Sequence, residues 1–348
     1  MELSFRWYGE QDQTSLQQIQ QIPGMAGIVT ALFDVPAGVL WPRERLAALT
    51  SEIRQHGMRL NVVESLPVHE DIKLGRPNRD ELIEIYRQNI GRLGEVGVDV
   101  ICYNFMPLFD WFRTDLAYDL PDGSNVLLYD HSQMDNALDP WEAELPAYFP
   151  LDESPDDLKE AYRTTTEDDL WANLKYFLDG VCDSAEKANI KLALHPDDPP
   201  WSIFGLPRII TDEAALDRVL QINTSPANGL TFCTGSLGAN QQNDLPKMVR
   251  KFANRIYFAH CRNVRHTGDK LFHEVAHPPQ YGDVDLVDVL KAFVDVGFTG
   301  PMRPDHGRMI WGETGIPGYG LYDRALGANY LLGVWDGLVR ATQNTTII

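Results

Sequence analysis

The sequence predicts an α/β protein that folds as a (β/α)8, or TIM, barrel with an extended insertion after the fourth strand. Two observations lead to this prediction. Short apolar runs alternate with amphipathic helical patterns along the chain, which is typical of parallel βα units. Four of the runs also end in His, Cys, His and Asp. Because barrel enzymes carry their chemistry at the carboxyl ends of the strands, we expect these side chains to meet at one mouth.

Eight runs have the length and composition of buried parallel strands. They are short, almost continuously apolar and bounded by glycine or polar residues, as expected for strands covered on both faces. The predicted strands are LSFRWY (3–8), GIVTAL (27–32), MRLNVVE (58–64), VDVICYN (98–104), IKLALH (190–195), GLTFC (229–233), RIYFAH (255–260) and GPMRPD (300–305).

Helical patterns with recognisable ends separate these strands. One begins near Pro42 and is followed by Gly57, an asymmetry that favours a helix between them. Another opens with Thr166 and acidic residues, which suits a helix N-terminus. The predicted helices span 42–57, 78–97, 166–189, 211–223, 243–254, 283–297 and about 321–340.

Residues about 106–165 interrupt this alternation. The segment is rich in Asp, Pro, Trp and Tyr, and a long βα excursion of this kind usually lines or covers a site. The turn sequence PDGS (121–124) predicts a hairpin between LAYDL (116–120) and VLLYD (126–130). We therefore predict one catalytic barrel domain over 1–348, with a lid-like insertion at about 106–165.

The charge balance disfavours a nucleic-acid partner. The 348 residues carry a formal net charge of -20, which would repel a phosphate backbone. No run approaches the ~20 apolar residues of a membrane-spanning helix, and the N-terminal sequence MELSFRWYGEQDQ lacks a secretory pattern. These features predict a protein without a membrane or nucleic-acid partner.

The cysteines indicate a reducing compartment. The four of them are widely spaced, and none forms a CxxC pair. A disulfide framework is unnecessary in a chain of this size, so a cytoplasmic location is the simpler interpretation. Cys102, Cys182 and Cys261 are expected to be small buried hydrophobic residues.

The strand-end residues His195, Cys233, His260 and Asp305 form a candidate metal site. All four are competent ligands for a divalent first-row ion, and the set could bind Zn, Fe(II) or Mn(II). A set that includes a carboxylate and leaves coordination positions open fits a catalytic ion. Asp197 and Asp198 follow His195 closely and could orient it, or could belong to a solvated turn.

The segment HEVAH (273–277) matches the HExxH motif of zinc peptidases. That chemistry needs a helix to place both histidines on one face. Pro278 and Pro279 follow immediately, and the segment falls in a predicted βα loop. We therefore do not predict a peptidase; these histidines either border the pocket or are ordinary loop residues.

Longer segments give the sequence a specific resemblance. They run nearly from end to end, and several are rich in rare residues. They are FRWYG (5–9), VESLPVHEDIK (63–73), CYNFMP (102–107), DWFRTDL (110–116), HPDDPPWSIFGLPRI (195–209), CTGS (233–236), FHEVAH (272–277), GDVD (282–285), MRPDHG (302–307) and PGY (317–319). In these segments the chain resembles the mannonate dehydratase family, within the xylose-isomerase-like group of barrels.

The resemblance implies dehydration of D-mannonate to 2-keto-3-deoxy-D-gluconate, a step of hexuronate catabolism. It implies Mn(II) or Fe(II) held by the four strand-end residues, and acid–base roles for His306 and Tyr319. Which of these two takes the C2 proton is left open. Side chains that could contact a polyhydroxylated acid are Arg6, Trp7, His69, Asn104, Arg113, His131, Arg262 and Arg303.

Two other functions are compatible with the residues. One is a metal-dependent sugar isomerase or epimerase on the same scaffold, although a two-metal isomerase would usually need more bridging carboxylates. The other is a non-catalytic sugar-acid binding protein, against which His306 and Tyr319 argue. A homo-oligomer is expected, with a dimer favoured through the FRWYG and 106–165 surfaces.

Overall fold

The computed structural model describes residues 1–108, 110–136 and 154–345. Within these residues there are twelve strands. They are β1 (Glu2–Arg6), β2 (Gly27–Thr30), β3 (Arg59–Glu64), β4 (Val100–Tyr103), β5 (Asp115–Asp119), β6 (Asn125–Asp130), β7 (Lys191–Leu194), β8 (Asn228–Cys233), β9 (Ile256–Cys261), β10 (Asn263–Gly268), β11 (Leu271–Val275) and β12 (Pro301–Pro304).

Eight of these strands close into a parallel barrel in the order β1-β12-β9-β8-β7-β4-β3-β2. The predicted TIM barrel is therefore confirmed, and each predicted strand overlaps one barrel strand. The first and last strands close the barrel by parallel pairing of Leu3 with Met302. A small cluster fills the barrel interior, as side-chain layers do in this fold; its buried members are Val29, Val62, Val100, Cys102, Ala193 and Phe258.

Helices surround the barrel. Those described are α1 (Leu16–Ile19), α2 (Arg43–Gln55), α3 (Glu70–Lys73), α4 (Arg79–Glu95), α5 (Pro155–Tyr162), α6 (Glu167–Lys187), α7 (Glu213–Ile222), α8 (Thr234–Ala239), α9 (Leu245–Phe252), α10 (Leu286–Asp295) and α11 (Leu321–Thr345). The described helices include none with the length and apolarity needed to cross a membrane.

The helix α6, which directly follows the insertion, shows the sequence features that predict a helix. Thr166 caps α6 in a capping box with Asp169, so the backbone donors of the first turn are satisfied. Along the helix, Leu170, Leu174 and Phe177 recur at helical spacing and are buried in the main core. The same core contains Cys182 and Cys261, which are free and buried as expected.

A second, four-stranded sheet stands apart from the barrel, in the order β10-β11-β6-β5. Its strands pair in antiparallel fashion, and the predicted hairpin is confirmed as β5–β6. The β10–β11 hairpin was not predicted. It belongs to the loop after β9, so this sheet joins two different βα loops of the barrel.

The HEVAH segment lies at the end of β11, paired with β10 and, at His273, with Leu128 of β6. Because strand residues alternate between faces, His273 and Glu274 point in opposite directions. The helix required by a zinc-peptidase motif is thus replaced by a strand, which agrees with the sequence interpretation.

The predicted lid-like insertion is described only in part, since residues 137–153 lie outside the described residues. Its beginning and end are both fixed to α3. Lys73 Nζ donates to the Met106 carbonyl at 2.7 Å and to Glu70 Oε1 at 2.7 Å. The Tyr162 hydroxyl, at the end of α5, donates to Glu70 Oε2 at 2.5 Å. One buried carboxylate therefore holds both parts of the insertion.

Candidate functional site

A cavity opens at the carboxyl ends of the barrel strands. This is the face where barrel enzymes place their chemistry. Each part of the lining comes from a strand end or from the loop that follows it. The lining includes Arg6, Glu64, Asn104, His195, Asp305 and Tyr319.

The four predicted metal ligands converge beside this cavity. Ligand atoms of His195, Cys233 and His260 all lie within 4.8 Å of one another. Asp305 adjoins this group: its Oδ2 is 3.4 Å from Cys233 Sγ, and its Oδ1 is 3.8 Å from His260 Nδ1. Cys233 and His260 are fully buried, because β8 and β9 are covered on both faces. The structure therefore brings the four strand-end residues together.

The orientations of the two imidazoles fit a cation. His195 Nδ1 lies 2.7 Å from the Pro196 carbonyl, which requires a proton on Nδ1. His260 Nε2 lies 3.5 Å from Glu64 Oε2, so its proton is favoured on that side. The remaining nitrogens, His195 Nε2 and His260 Nδ1, are only 3.1 Å apart. Two lone pairs at this distance repel each other unless a proton or a metal ion lies between them.

The sulfur atom of Cys233 is also held in place. Ser236 donates to Sγ through its backbone N–H at 3.4 Å and its hydroxyl at 3.1 Å. Gly235, two residues after Cys233, leaves space for the side chain of Arg262. A Cβ at this position would come within 1.8 Å of Arg262 Nε, so the glycine makes room for a guanidinium rather than for a ligand.

Buried arginines compensate the carboxylates of the site. Arg303 contacts Glu64 Oε1 at 3.0 Å and Asp305 Oδ1 at 2.8 Å. Burial works to raise the pKa of Glu64, but Arg303 and Arg6 outweigh it and hold this pKa well below its usual range. Burial likewise opposes ionisation of Asp305, whose pKa is nevertheless well lowered by His306, Arg303 and Arg262. Both side chains are therefore carboxylates at neutral pH.

His306 and Tyr319 form a hydrogen-bonded pair on the cavity wall. Tyr319 Oη lies 2.9 Å from His306 Nε2. His306 Nδ1 faces Glu274 Oε1 at 2.6 Å on its other side. Burial and the nearby Tyr8 raise the pKa of Tyr319 well above its usual value, so its phenol stays protonated and can donate.

The two aspartates that follow His195 bind other groups and do not orient its imidazole ring. Asp197 Oδ2 accepts the Ile210 N–H at 2.9 Å and so fixes the following loop. Asp198 contacts Arg113 at 2.8 Å and Arg262 at 2.5 Å. Burial opposes its ionisation, but these guanidiniums lower the pKa of Asp198. The carbonyl of Pro196, rather than either aspartate, orients His195.

Four of the predicted substrate-contacting residues line the cavity: Arg6, Asn104, Arg262 and Arg303. Asn104 is held by a hydrogen bond from its amide to Asp110 Oδ1. Atoms Nε and Nη1 of Arg6 are buried without a hydrogen-bond partner among the described residues, although Nη1 lies 2.9 Å from Glu64. Arg6 thus retains N–H groups that could bind a ligand.

The other four predicted substrate contacts lie outside this lining. Trp7 is packed in the main core. His69 begins α3, where Nδ1 accepts the Asp71 N–H at 3.1 Å, and His131 Nδ1 is paired with the Tyr129 hydroxyl at 2.7 Å. Arg113 is fully buried between Asp198 and Glu274. These four side chains do not line the cavity, and their contact with a substrate stays a prediction.

Sequence reasoning missed Glu64, Asp110, Trp111 and Glu274. Glu64 ends a predicted strand, as the four ligands do, and that position was the available signal. Asp110 and Trp111 line the cavity from the start of the insertion. Glu274 was visible only as part of HEVAH, and its contact with His306 depends on the unpredicted hairpin.

Comparison with known proteins assigns the family. The sequence profile of the D-mannonate dehydratase (UxuA) family matches residues 1–345. Mannonate dehydratase 2 of Halalkalibacterium halodurans is 53% identical over 344 residues, covering 97% of this chain and 99% of that protein. The crystal structure of mannonate dehydratase from Streptococcus suis serotype 2 superposes with a TM-score of 0.89 at 48% identity, covering 99% of this chain and 95% of that one.

More distant structures share only the barrel. D-allulose 3-epimerase from Methylomonas sp. superposes with a TM-score of 0.57 at 14% identity over 97% of this chain and 98% of that one. A likeness at this level supports the barrel fold and carries no argument for epimerase activity. By its profile match and its identity to these relatives, the chain belongs to the D-mannonate dehydratase family.

Proposed function

We propose that the cavity at the barrel mouth dehydrates D-mannonate to 2-keto-3-deoxy-D-gluconate and water. The observation that carries this proposal is the His306–Tyr319 pair at 2.9 Å, next to a group of convergent metal ligands. Membership of the family agrees with this hydro-lyase chemistry. The reaction requires a base at C2, an acid at the C3 hydroxyl and stabilisation of the developing enolate.

His195, Cys233, His260 and Asp305 are proposed to hold Mn(II) or Fe(II). Their two facing nitrogens at 3.1 Å and the adjoining sulfur and carboxylate make a donor set of mixed softness, which these ions tolerate. When bound, such an ion supplies positive charge that stabilises an enolate and orients the substrate oxygens. Glu64 assists by facing the outer nitrogen of His260.

The cationic and amide groups of the lining are proposed to bind the sugar acid. Arg6 and Asn104 present donors to the cavity, and a guanidinium matches a carboxylate in shape and charge. Trp111 adds an indole N–H that is buried without a partner among the described residues. These groups would fix C2 and C3 of the substrate close to His306 and Tyr319.

His306 is proposed to remove the C2 proton, and Tyr319 to protonate the departing C3 hydroxyl. The raised pKa of Tyr319 keeps its phenol protonated, which suits an acid and disfavours a base. The C2–H electron pair forms the C2–C3 double bond while the C3–O bond breaks and water leaves. The resulting enol then tautomerises to the 2-keto acid.

The direct test is an assay for 2-keto acid formation from D-mannonate after chelation, followed by addition of Mn(II) or Fe(II). We expect activity to disappear with chelation and to return with one of these ions. Absence of product with every divalent ion tested would reject the proposed reaction.

The ligand set has its own test. Cys233→Ser replaces a thiolate by a hydroxyl, so elemental analysis should show at least a tenfold weaker retention of metal, about the loss seen on perturbing a metal site. Cys182→Ser is the matched control, because Cys182 is a buried free cysteine on α6, away from the cavity. Equal metal content in the two variants would exclude Cys233 as a ligand.

The oligomeric state remains a prediction, with a homodimer favoured. The FRWYG segment cannot supply much of its interface, because Phe5, Arg6 and Trp7 are buried within the barrel chain. Sedimentation equilibrium would measure the mass of the assembly.

A further inference from the structure

We propose that Glu274 is a positioning residue that fixes which ring nitrogen of His306 carries the proton. It keeps the proton of the neutral imidazole on Nδ1, so that the basic lone pair lies on Nε2, beside Tyr319 and the cavity. This inference rests on the proposed role of His306 as the base. It gives a function to the acidic residue of the HEVAH segment.

The geometry around His306 is tightly determined. Glu274 Oε1 lies 2.6 Å from Nδ1, whereas Tyr319 Oη lies 2.9 Å from Nε2. All three side chains are buried, and Trp111 packs with its ring centroid 5.2 Å from the imidazole. The ring therefore has a carboxylate on one side and a phenol on the other.

The protonation pattern follows from what each neighbour can do. Glu274 Oε1 lies 3.1 Å from Arg113 Nη2 and 3.6 Å from Arg262 Nη1, so it is a carboxylate and only accepts hydrogen bonds. A contact of 2.6 Å is attractive only if Nδ1 carries a proton. The Nε2 atom of the neutral ring is then an acceptor, which matches the protonated phenol of Tyr319.

Arg262 could favour the other tautomer of His306, with the proton on Nε2, and Glu274 prevents this. Its Nη1 lies 2.9 Å from His306 Nδ1 but also 3.0 Å from Asp305 Oδ2. A guanidinium can only donate, so donation to Nδ1 would force the proton onto Nε2 and remove the base from the cavity. The carboxylate of Glu274 competes for Nδ1 and leaves the N–H of Arg262 to Asp305.

Glu274 is itself held in place by the buried charges around it. Arg113 Nη2 donates to Oε1 at 3.1 Å and also contacts Asp198, which binds Arg262. Arg262 Nη1 in turn lies 3.6 Å from Glu274 Oε1, so two carboxylates and two guanidiniums alternate in a closed ring. Because side chains alternate between the two faces of β11, Glu274 points towards this network and His273 points away from it.

Two substitutions separate positioning from packing. In Glu274→Ala, Nδ1 loses its acceptor and Arg262 can donate to it, so we expect kcat to fall by about 10²- to 10⁴-fold, with KM for D-mannonate changed within about threefold. In Glu274→Gln, an amide oxygen can still accept from Nδ1–H, so kcat should be partly rescued relative to Glu274→Ala. A role in packing alone would leave the tautomer of His306 unchanged in both variants.

The tautomer can be measured without turnover. Histidines labelled with ¹⁵N in the imidazole ring report which nitrogen of the neutral ring carries the proton, and His306→Gln identifies the relevant signals. We expect Nδ1–H in the wild type and in Glu274→Gln, and Nε2–H in Glu274→Ala. Because the spectra are recorded on the metal-free chain, they decide the role of Glu274 even if D-mannonate is not turned over.

The control is Asp283→Asn, which alters another imidazole–carboxylate contact. Asp283 Oδ2 lies 3.0 Å from His266 Nδ1, on the same small sheet but outside the cavity lining. We expect its kcat to match the wild type. The proposal is overturned if Glu274→Ala keeps both the Nδ1–H tautomer and wild-type kcat. Should Glu274→Ala fail to fold, an Nε2–H tautomer of His306 in the wild type, read from the same spectra, overturns it.

Discussion

His195 and His260 each use one ring nitrogen to face the protein and the other to face its counterpart. This arrangement is costly for a metal-free pair of imidazoles and favourable for ligands of one ion. His306 follows the same rule, with its outer nitrogen on Glu274 and its inner nitrogen on Tyr319. At the scale of single residues, the partner of each outer ring nitrogen therefore decides which nitrogen of the imidazole faces the site.

His306→Ala should abolish most turnover while leaving the metal in place. The imidazole is proposed to take the C2 proton, and loss of a general base usually costs at least about 10²- to 10⁴-fold in rate. Steady-state kinetics and elemental analysis on the same preparation would measure both quantities. His56→Ala is the control, since His56 is paired with Gln20 on the surface. Near-normal turnover of His306→Ala would remove this residue from the mechanism.

Asp198→Asn should destabilise the chain at neutral pH by about 3–5 kcal/mol, because it removes a charged partner that two buried guanidiniums, Arg113 and Arg262, share. The pKa of Asp198 is lower in the folded chain than the ordinary value of about 4, so its stabilising effect is present above that pH. The effect is lost as the pH falls towards the folded pKa, because the unfolded chain takes up the proton first.

Urea midpoints measured between neutral and acidic pH would test this expectation. The wild type should lose stability on acidification more steeply than Asp198→Asn. Asp34→Asn is the matched control, since the exposed Asp34–Arg45 pair should contribute only about 0–1 kcal/mol. Identical acid profiles for wild type and Asp198→Asn would contradict the assignment.

The sequence predicted those site residues that lie at the ends of barrel strands. His195, Cys233, His260 and Asp305 each end an apolar run, and parallel strands in a barrel bring such ends together. The substrate contacts were harder to predict, because Arg113 and His131 lie on the insertion, whose pairing is decided by residues far away in sequence. Burial between two carboxylates, which places Arg113 outside the lining, leaves no local mark in the sequence.

At the scale of elements, the four-stranded sheet is what connects the insertion to the catalytic pair. Its β5–β6 hairpin was predicted from a clear turn, whereas β10–β11 carries Arg, His and Asp residues that obscure alternation. The two hairpins are stabilised by each other through β6 and β11. A single-sequence pattern therefore revealed only the half of the sheet that forms locally.

Phe272→Ala should loosen this sheet and slow catalysis together. Phe272 is fully buried, and its ring stacks on Tyr129 of β6 with centroids 5.6 Å apart. Removing it should cost about 3–5 kcal/mol in the free energy of unfolding. Because Glu274 follows two residues later on β11, kcat should fall as well. Unfolding curves and steady-state kinetics would measure the two effects.

The control for this element is Tyr118→Ala on β5, whose side chain is substantially exposed. It should change the free energy of unfolding by less than about 1 kcal/mol and leave kcat unchanged. If Phe272→Ala were destabilised but kept full kcat, the link between the sheet and the His306–Glu274 contact would be wrong.

At the scale of the whole molecule, the proposed ligands come from one continuous part of the barrel wall. His195 follows β7, Cys233 ends β8, His260 lies on β9 and Asp305 follows β12, and these four strands are consecutive neighbours. An ion bound there would connect strands that are hydrogen-bonded side by side but distant in sequence. Folding and metal binding are then thermodynamically linked.

Addition of Mn(II) to chelated protein should therefore raise the thermal midpoint. An ion that binds only the folded chain adds about 2.7 kcal/mol when its free concentration is 100 times the dissociation constant. Cys233→Ser should show a smaller rise at the same concentration because it binds the ion more weakly, whereas Cys182→Ser should respond like the wild type. Scanning calorimetry with and without chelator measures these shifts. Equal shifts in Cys233→Ser and wild type would mean that the stabilising ion binds elsewhere on the molecule, and the barrel-wall site would lose its support.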